Sequence, residues 1–312
     1  MNLGIIVLNY ETWQSTLNCL RSIVNTIVDI EFVIYLVDNA SPTKIPKEFQ
    51  KFLRSHDNIV YIQNSINSGY NAGNNVGIKK AITQGHDQFL VVNNDIMFND
   101  GDIFRMMKVL RNNSNIGIVG PRIRDNDGEF QEINMGLPTT LRNKYLYILR
   151  KTPIKYFIGN FLNRFIIKYT KDSDRLVEVN AVSGACFLVS KACITEIFPF
   201  DEYPFLYEEE VILGAVLEKT RFKVVVDTEI VVNHEHGAST GGLTAFTFTE
   251  FVRSELYYFR HYRNNSFTSL LPLYLLRLLT FIIKYRGDSK SDVTLLDYFK
   301  RVNMSLKKQI NE

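Results

Sequence analysis

Two rhythms of apolar residues alternate through roughly the first 120 positions of the chain. Gly4-Ile5-Ile6-Val7-Leu8 is a short run with no polar member, the pattern of a strand buried on both faces of a parallel sheet. Leu17, Leu20, Ile23, Val24 and Ile27 then recur at helical spacing. Phe32 to Val37 reads as a second strand, ending at Asp38-Asn39-Ala40-Ser41-Pro42. Ile59 to Ile62 reads as a third, followed by a Gly/Asn-rich turn and a helix to about Thr83. Phe89 to Val92 is a fourth, closed by Asn93-Asn94-Asp95, and a helix from Asp102 to Leu110 and a strand from Ile116 to Val119 follow. Strands alternating with helices predict an α/β fold with a mostly parallel, doubly wound sheet. Such sheets bind ligands beyond the carboxyl ends of their strands, where Asn9-Tyr10, Asp38-Asn39 and Asn93-Asn94-Asp95 lie.

The rhythm breaks at about residue 136 and resumes at about 177. Between Glu132 and Asp172 there is no acid, while Arg142, Lys144, Arg150, Lys151, Lys155, Arg164, Lys168 and Lys171 are interleaved with aromatic and aliphatic residues. Strand patterns return at Gly184 to Val189, Phe222 to Val226 and Glu229 to Val232. From Phe246 onward the chain is helical in pattern, aromatic and basic. The expected division is a catalytic domain over 1–245, carrying the basic insertion, and a helical C-terminal region over 246–312. Neither an internal repeat nor a low-complexity stretch interrupts it.

Composition narrows the classes. The 312 residues are 46% hydrophobic and 22% charged, ordinary globular values, and a net charge of +3 gives no ground for nucleic acid as a partner. Cys19, Cys186 and Cys193 are odd in number and lack ligand spacing, so buried free thiols of a reducing compartment are expected. The chain opens on a strand without a basic leader or cleavage site, which predicts a cytoplasmic protein, peripheral at most on the inner face of the cell membrane. The longest apolar stretch, Leu270 to Ile283, is interrupted by Pro272 and Arg277 and falls short of the ~20 residues a bilayer span needs.

Four clusters carry candidate chemistry. The turn from Asn67 to Gly77 holds Gly69, Gly73, Asn74 and Asn75; its glycines let backbone approach a ligand and its helix start favours a diphosphate, although a tight strand-to-helix connection has the same composition. Neither a GxGxxG after the first strand nor a Walker A sequence is present. Asp95, at a strand's carboxyl end, suits a hard divalent cation bridging to phosphate oxygens, or else a cap or turn. Glu208-Glu209-Glu210 stand between apolar runs, where repulsion and burial raise a carboxyl pKa toward that of a general base, or else they open a solvated helix. His234 and His236, just past a strand, offer a metal ligand or a surface pair.

In order along the chain, Ile-Val-Leu-Asn-Tyr at 6–10, Val-Asp-Asn-Ala-Ser at 37–41, the Asn67–Gly77 loop, Asn93-Asn94-Asp95, Ser183-Gly184-Ala185-Cys186-Phe187, Phe205-Leu206-Tyr207 with its glutamates, and His234-x-x-Gly237-x-Ser239 resemble the family 2 glycosyltransferases. These are inverting enzymes of GT-A fold, and the likeness is to their rhamnosyltransferase-like branch, over about three quarters of the chain. The resemblance implies a sugar passed from a nucleoside diphosphate, UDP or dTDP, to a hydroxyl of a glycan or lipid-linked acceptor, with Mn²⁺ or Mg²⁺ as cofactor. Tyr10 and Asp38 would contact the nucleotide base; Asn67, Asn74 and Asn75 would line the nucleotide and diphosphate pocket; Asn93 would meet the ribose; and Asn9, Gly69 and Asn94 would belong to the same nucleotide-sugar site. Asp95 and His234 would hold the metal, and Glu210, with Glu209 beside it, would be the base. Two departures stand out: Asn93 replaces the first acid of the family's Asp-x-Asp, and Ile212 replaces an acid two residues beyond the glutamate pair.

The basic, aromatic surfaces at 142–171 and Tyr257-Tyr258-Phe259-Arg260-His261-Tyr262-Arg263, with the Leu270–Ile283 run, are expected to rest on anionic membrane or simply to cap the domain; a homodimer interface would use the tail equally well. A sugar nucleotidyltransferase is disfavoured because Leu8-Asn9-Tyr10-Glu11 is not a phosphate loop, and a catalytically silent nucleotide-sugar-binding subunit remains the reading from outside catalysis.

Overall fold

The computed structural model describes residues 2–131, 138–150, 174–235, 244–285 and 293–307. The basic residues from Lys151 to Lys171, and His236, Gly237 and Ser239, lie outside the described residues.

Strands β1 (Asn2–Asn9), β2 (Glu31–Asp38), β3 (Ile59–Gln63) and β4 (Gln88–Asn93) pair in the order β3-β2-β1-β4, all parallel, as the alternating pattern predicts. The other half of the sheet is mixed. β8 (Cys186–Ser190) lies antiparallel between β4 and β6 (Ile116–Arg124), and β9 (Lys223–His234) runs parallel to β6. β5 (Ile96–Met97) and β7 (Leu176–Val179) both run antiparallel to β9. The two strand patterns at 222–226 and 229–232 are thus one strand, irregular where its register jumps from Asp227 to Val231 opposite Pro121 and Arg122. Asp227 at that irregularity is fully buried, and Arg175 donates to it with Nε and Nη2 at 3.1 and 3.0 Å.

Helices cover both faces, because successive side chains of each central strand point to opposite sides. Ile5 and Val7 join a core with α1 (Trp13–Thr26), α2 (Lys47–Arg54) and α4 (Asp102–Asn112), whereas Ile6 joins one with α3 (Tyr70–Thr83), α6 (Lys191–Ile197) and α7 (Glu209–Leu217). All three cysteines are free and buried in these cores, where desolvation raises the thiols far from reactivity.

A third core joins the C-terminal helices to the sheet-bearing part of the chain. Val211, Ile212 and Ala215 of α7 and Leu141 of α5 (Leu141–Arg150) pack with α8 (Ala245–Tyr257), the π-turn Tyr258–Tyr262, α9 (Phe267–Tyr285) and α10 (Leu295–Leu306). Ile212 is almost fully buried there. That explains the missing acid: a carboxylate at 212 would be desolvated among aromatic and aliphatic side chains.

Two expectations for the tail are corrected. Tyr257, Tyr258 and Phe259 are buried, and Arg263 makes a bidentate pair with Glu218 at 2.6 and 2.7 Å, so this cluster faces inward rather than toward a membrane. The apolar run, read as too short, belongs to a 19-residue helix that is long and apolar enough to cross a membrane by length and composition. Pro272 and Arg277 do not end it, since Arg277 turns inward to a partner described below.

The start of α3 is pinned to the loop before α7. Gly69 has φ +96°, and a Cβ there would lie 2.5 Å from the carbonyl oxygen of Phe205 and 2.8 Å from its Cα. Gly69→Ala is expected to cost about 1–3 kcal/mol of stability through clash and left-handed strain. Urea unfolding of the two proteins checks this, and an unchanged midpoint would show that the loop gives way freely.

Candidate functional site

The carboxyl ends of the parallel strands form one rim. The β1–β2 register sets Asn9 opposite Asp38, and the β1–β4 register sets Leu8 opposite Asn93. Asn9 is fully buried: its Nδ2 donates to Asp38 Oδ1 at 3.1 Å, and its Oδ1 accepts from Thr16 Oγ1 at 2.8 Å. Asp38 is nearly as buried and accepts also from the Ser41 hydroxyl and from Tyr61 Oη at 3.2 Å. Asn94 points back onto α1, donating to Thr12 Oγ1 and Thr16 Oγ1 at 2.6 and 2.7 Å. Asn9 and Asn94 therefore brace the rim from below, while Tyr10, 44% exposed, stands at its mouth.

Beyond Asn93 the chain turns into the two-residue strand β5, whose pairing of Ile96 with His234 brings the end of β9 alongside. Glu235 N donates to the Asp95 carbonyl at 2.8 Å, and His234 Nε2 lies 3.0 Å from Asp95 Oδ1. That carboxylate oxygen is buried and makes no hydrogen bond of good geometry, which leaves its lone pairs beside the imidazole without a satisfied partner. On the far side of the ring, Gln131 Nε2 sits 2.8 Å from His234 Nδ1 and orients the imidazole. Among the described residues no third His, Cys, Asp or Glu completes the set. One carboxylate oxygen and one imidazole nitrogen could hold a divalent cation such as Mn²⁺, the oxygen alone being the natural donor for Mg²⁺. Gln131 lies just before the basic insertion, and no sequence signal marks it.

The Asn-rich loop is less a phosphate cradle than a set of clamps. Two donors an anion would draw on are engaged, Gly69 N by Asn67 Oδ1 at 3.1 Å and Tyr70 N by Phe205 O at 2.9 Å. Asn67 Oδ1 also accepts from Asn39 Nδ2 at 2.8 Å. Asn75 is fully spent, donating to Phe200 O and Glu202 Oε1 at 2.8 Å each and accepting from Phe200 N at 3.0 Å. Asn74 is different: both of its amide atoms are buried without a hydrogen-bond partner. Gly73 is needed for packing, since a Cβ there would meet Leu8 Cδ1 at 2.5 Å.

The glutamates open α7 across the rim. Tyr207 and Glu208 both take left-handed backbone, at φ 71° and 65°, just before the helix begins. Non-glycine residues hold that conformation only where surrounding contacts impose it. Here Ser254 Oγ of α8 donates to Leu206 O at 2.9 Å, and Lys144 Nζ of α5 lies 3.3 Å from Glu208 Oε1. Lys144 also pairs at 2.7 Å with Glu255, which Arg277 of α9 grips from the other side at 2.7 and 2.8 Å. Burial alone would raise the Glu255 carboxyl; the two cations more than offset it and hold it below the ordinary value. Breaking such a buried set by removing one member typically costs ~3–5 kcal/mol. The C-terminal helices thus hold the catalytic loop in shape.

Glu209 and Glu210 line a cavity of about 560 Å³ together with Val182, Phe187, Phe200 and Leu213. Its polar lining includes the further carboxylates Glu196, Asp201 and Glu202 and, among the described residues, no Lys, Arg or His. That charge disfavours an anion such as a diphosphate in this cavity. Glu210 Oε1 accepts from Gly184 N at 3.2 Å, and Tyr70 Oη donates to Gly184 O at 2.6 Å, so the Ser183–Phe187 motif seats the carboxylates. Burial, and then repulsion from Glu210, push the Glu209 carboxyl up to about 8.

The sequence profile of glycosyl transferase family 2 matches residues 4–173. A low-salt glycan biosynthesis hexosyltransferase of Haloferax volcanii is 28% identical over 212 residues, which are 67% of this chain and 59% of its own length. An N-acetylglucosaminyl-diphospho-decaprenol L-rhamnosyltransferase of Mycobacterium tuberculosis is 26% identical over 220 residues, 67% of this chain and 68% of its own. Among solved structures, GalNAc-T7 with UDP, GalNAc and Mn²⁺ shares the GT-A fold at a TM-score of 0.59 and 12% identity, covering 98% of this chain and 57% of that one.

Glu209 makes stability depend on pH. Its folded pKa of about 8 lies above the ordinary 4.5, so the folded state binds the extra proton between those values. The stabilisation is complete below pH 4.5 and is lost as pH rises through 8. Wild type is expected to lose denaturant midpoint over this window more steeply than Glu209→Gln; parallel profiles would remove the buried proton.

Proposed function

The chain belongs to glycosyl transferase family 2, and from that premise we propose that it transfers a hexose, with inversion, from a UDP- or dTDP-sugar to a hydroxyl of a lipid-linked glycan in cell-surface polysaccharide synthesis. Rhamnose is the favoured sugar, supported by the mycobacterial relative, whose name also carries a decaprenol-linked acceptor. The reaction is assigned to the cytoplasmic side of the membrane.

The observation that carries the reading is the Asp95–His234 pair at the rim, on the strand ends next to Asn93. Asp95 and His234 would hold a divalent cation, with Gln131 orienting the imidazole. When bound, that cation supplies positive charge against the diphosphate of the donor. Tyr10 offers an exposed ring on which the nucleotide base stacks, and Asn93 reaches the ribose. The acid-lined cavity receives the acceptor.

Glu210 is assigned as the base. A Glu209 that keeps its proton to about pH 8 is withdrawn from that role at neutral pH and is a hydrogen-bond donor instead. The acceptor oxygen attacks the anomeric carbon as its proton passes to Glu210. The bond from that carbon to the diphosphate oxygen breaks, and the electron pair leaves with the nucleoside diphosphate. One displacement inverts the centre, with no covalent enzyme intermediate.

Glu210→Gln is expected to lower turnover by about 10²–10⁴-fold while nucleotide-sugar affinity, read by calorimetry, is unchanged. Asp95→Ala is expected to abolish the Mn²⁺-dependent part of that affinity. Turnover retained in Glu210→Gln would place the base elsewhere, and nucleotide binding indifferent to both Mn²⁺ and Asp95 would end the metal assignment.

A further inference from the structure

Helix α9 has two unlike sides. Leu270, Leu273 and Phe281 enter the third core, and Arg277 reaches inward to Glu255. Phe267, Leu271, Leu275, Leu279 and Ile283 recur every fourth residue on the outside, with Leu276 beside them. They are 38–73% exposed, a row along a helix about 28 Å long. So long an apolar row is not left to water without a partner.

We infer that this face, with the outer stripe of α10, seats the protein on an anionic lipid bilayer. Charge argues for that occupant. Tyr274 Oη donates to Asn303 Oδ1 at 3.3 Å and the Phe281 and Tyr298 rings lie 4.4 Å apart, so α10 runs antiparallel beside α9. The exposed stripe of α10 mixes Leu296 and Met304 with Lys300 and Lys307, and Lys284 is exposed at the end of α9. Among the described residues from Phe267 onward the single acid is Asp297, and its carboxylate is spent on the capping box with Thr294. Apolar groups ringed by unpaired-sign cations match acyl chains beneath anionic headgroups. A second copy meeting this face across a two-fold axis would oppose Lys300 and Lys307 to their own counterparts, and among the described residues of α9 and α10 only the capping Asp297 carries the opposite charge.

The helix lies on the bilayer rather than crossing it. A span would expose Arg277 to lipid and strip Glu255 of a partner it holds at 2.7 Å while fully buried. Seating here would bring α9, and through Arg277, Glu255 and Lys144 the loop before α7, to the surface where a lipid-linked acceptor resides.

The test is vesicle flotation of the full chain, which reads binding independently of any transferase activity. Wild type is expected to float with vesicles of phosphatidylcholine and phosphatidylglycerol and to stay behind with phosphatidylcholine alone. Leu275→Glu with Leu279→Glu should weaken binding by about ten-fold or more per leucine. Lys300→Glu with Lys307→Glu should weaken it as well, whereas Val28→Glu, an exposed apolar position in the turn after α1, should not. Thermal melts confirm that each variant is folded. Wild type that ignores anionic vesicles, or a leucine variant that floats as wild type does, overturns the inference. So does a dimer that the leucine variant dissociates in the absence of vesicle binding, since the face would then belong to a second copy.

Discussion

A ladder of two residue pairs, Ile96 with His234 and Met97 with Asn233, decides whether Asp95 and His234 meet at the rim at all. Asp95 and His234 are 139 positions apart by subtraction, and no helix or turn links them directly. Only the antiparallel return of β5 onto the end of β9 sets an imidazole nitrogen 3.0 Å from the carboxylate. The bracing beneath follows the same logic. Asn9 and Asp38 are buried, and with Asn94 they tie three strand ends and α1 together through hydrogen bonds. Their side chains keep the rim from moving when charge is brought to it.

The opposite wall is built by a different means. Two consecutive non-glycine residues in left-handed conformation precede the catalytic helix, and a buried set of two cations and two carboxylates secures them. The cations come from α5 and α9, elements outside the sheet. The C-terminal helices are therefore part of the site's frame, and their outer face is left for a surface. That division of labour within α9 accounts for a charged residue in the middle of an otherwise apolar helix.

In the proposed reaction, charge keeps donor and acceptor apart. The rim offers one carboxylate and one imidazole, a place for a cation and the phosphates it attracts. The cavity behind Glu209 and Glu210 offers carboxylates without a cation, a place for hydroxyl groups. Phosphates are repelled from the second and drawn to the first, so the substrates enter with a fixed polarity across the glutamate pair.

How much of this was legible differs residue by residue. The parallel block β3-β2-β1-β4, the helix from Tyr70 and the buried thiols could be read from order and period, because local hydrophobic rhythm and strand-end polarity are properties of neighbours along the chain, while Asp95 and His234 were linked only through the family resemblance. The antiparallel placement of β8, the short β5, the spent amides of Asn75 and the inward turn of Tyr257 to Arg263 could not. Each depends on which distant group arrives to satisfy a donor or a charge. Asn75 looks like a ligand-binding amide until Phe200 and Glu202 are found against it, and Arg277 looks like a break in an apolar run until Glu255 is found beneath it. The sequence by itself determined the α/β frame and the residue types available at its rim. Tertiary structure alone decided which of them face a substrate and which hold the frame, because hydrogen-bond and charge satisfaction is settled between residues far apart in the chain.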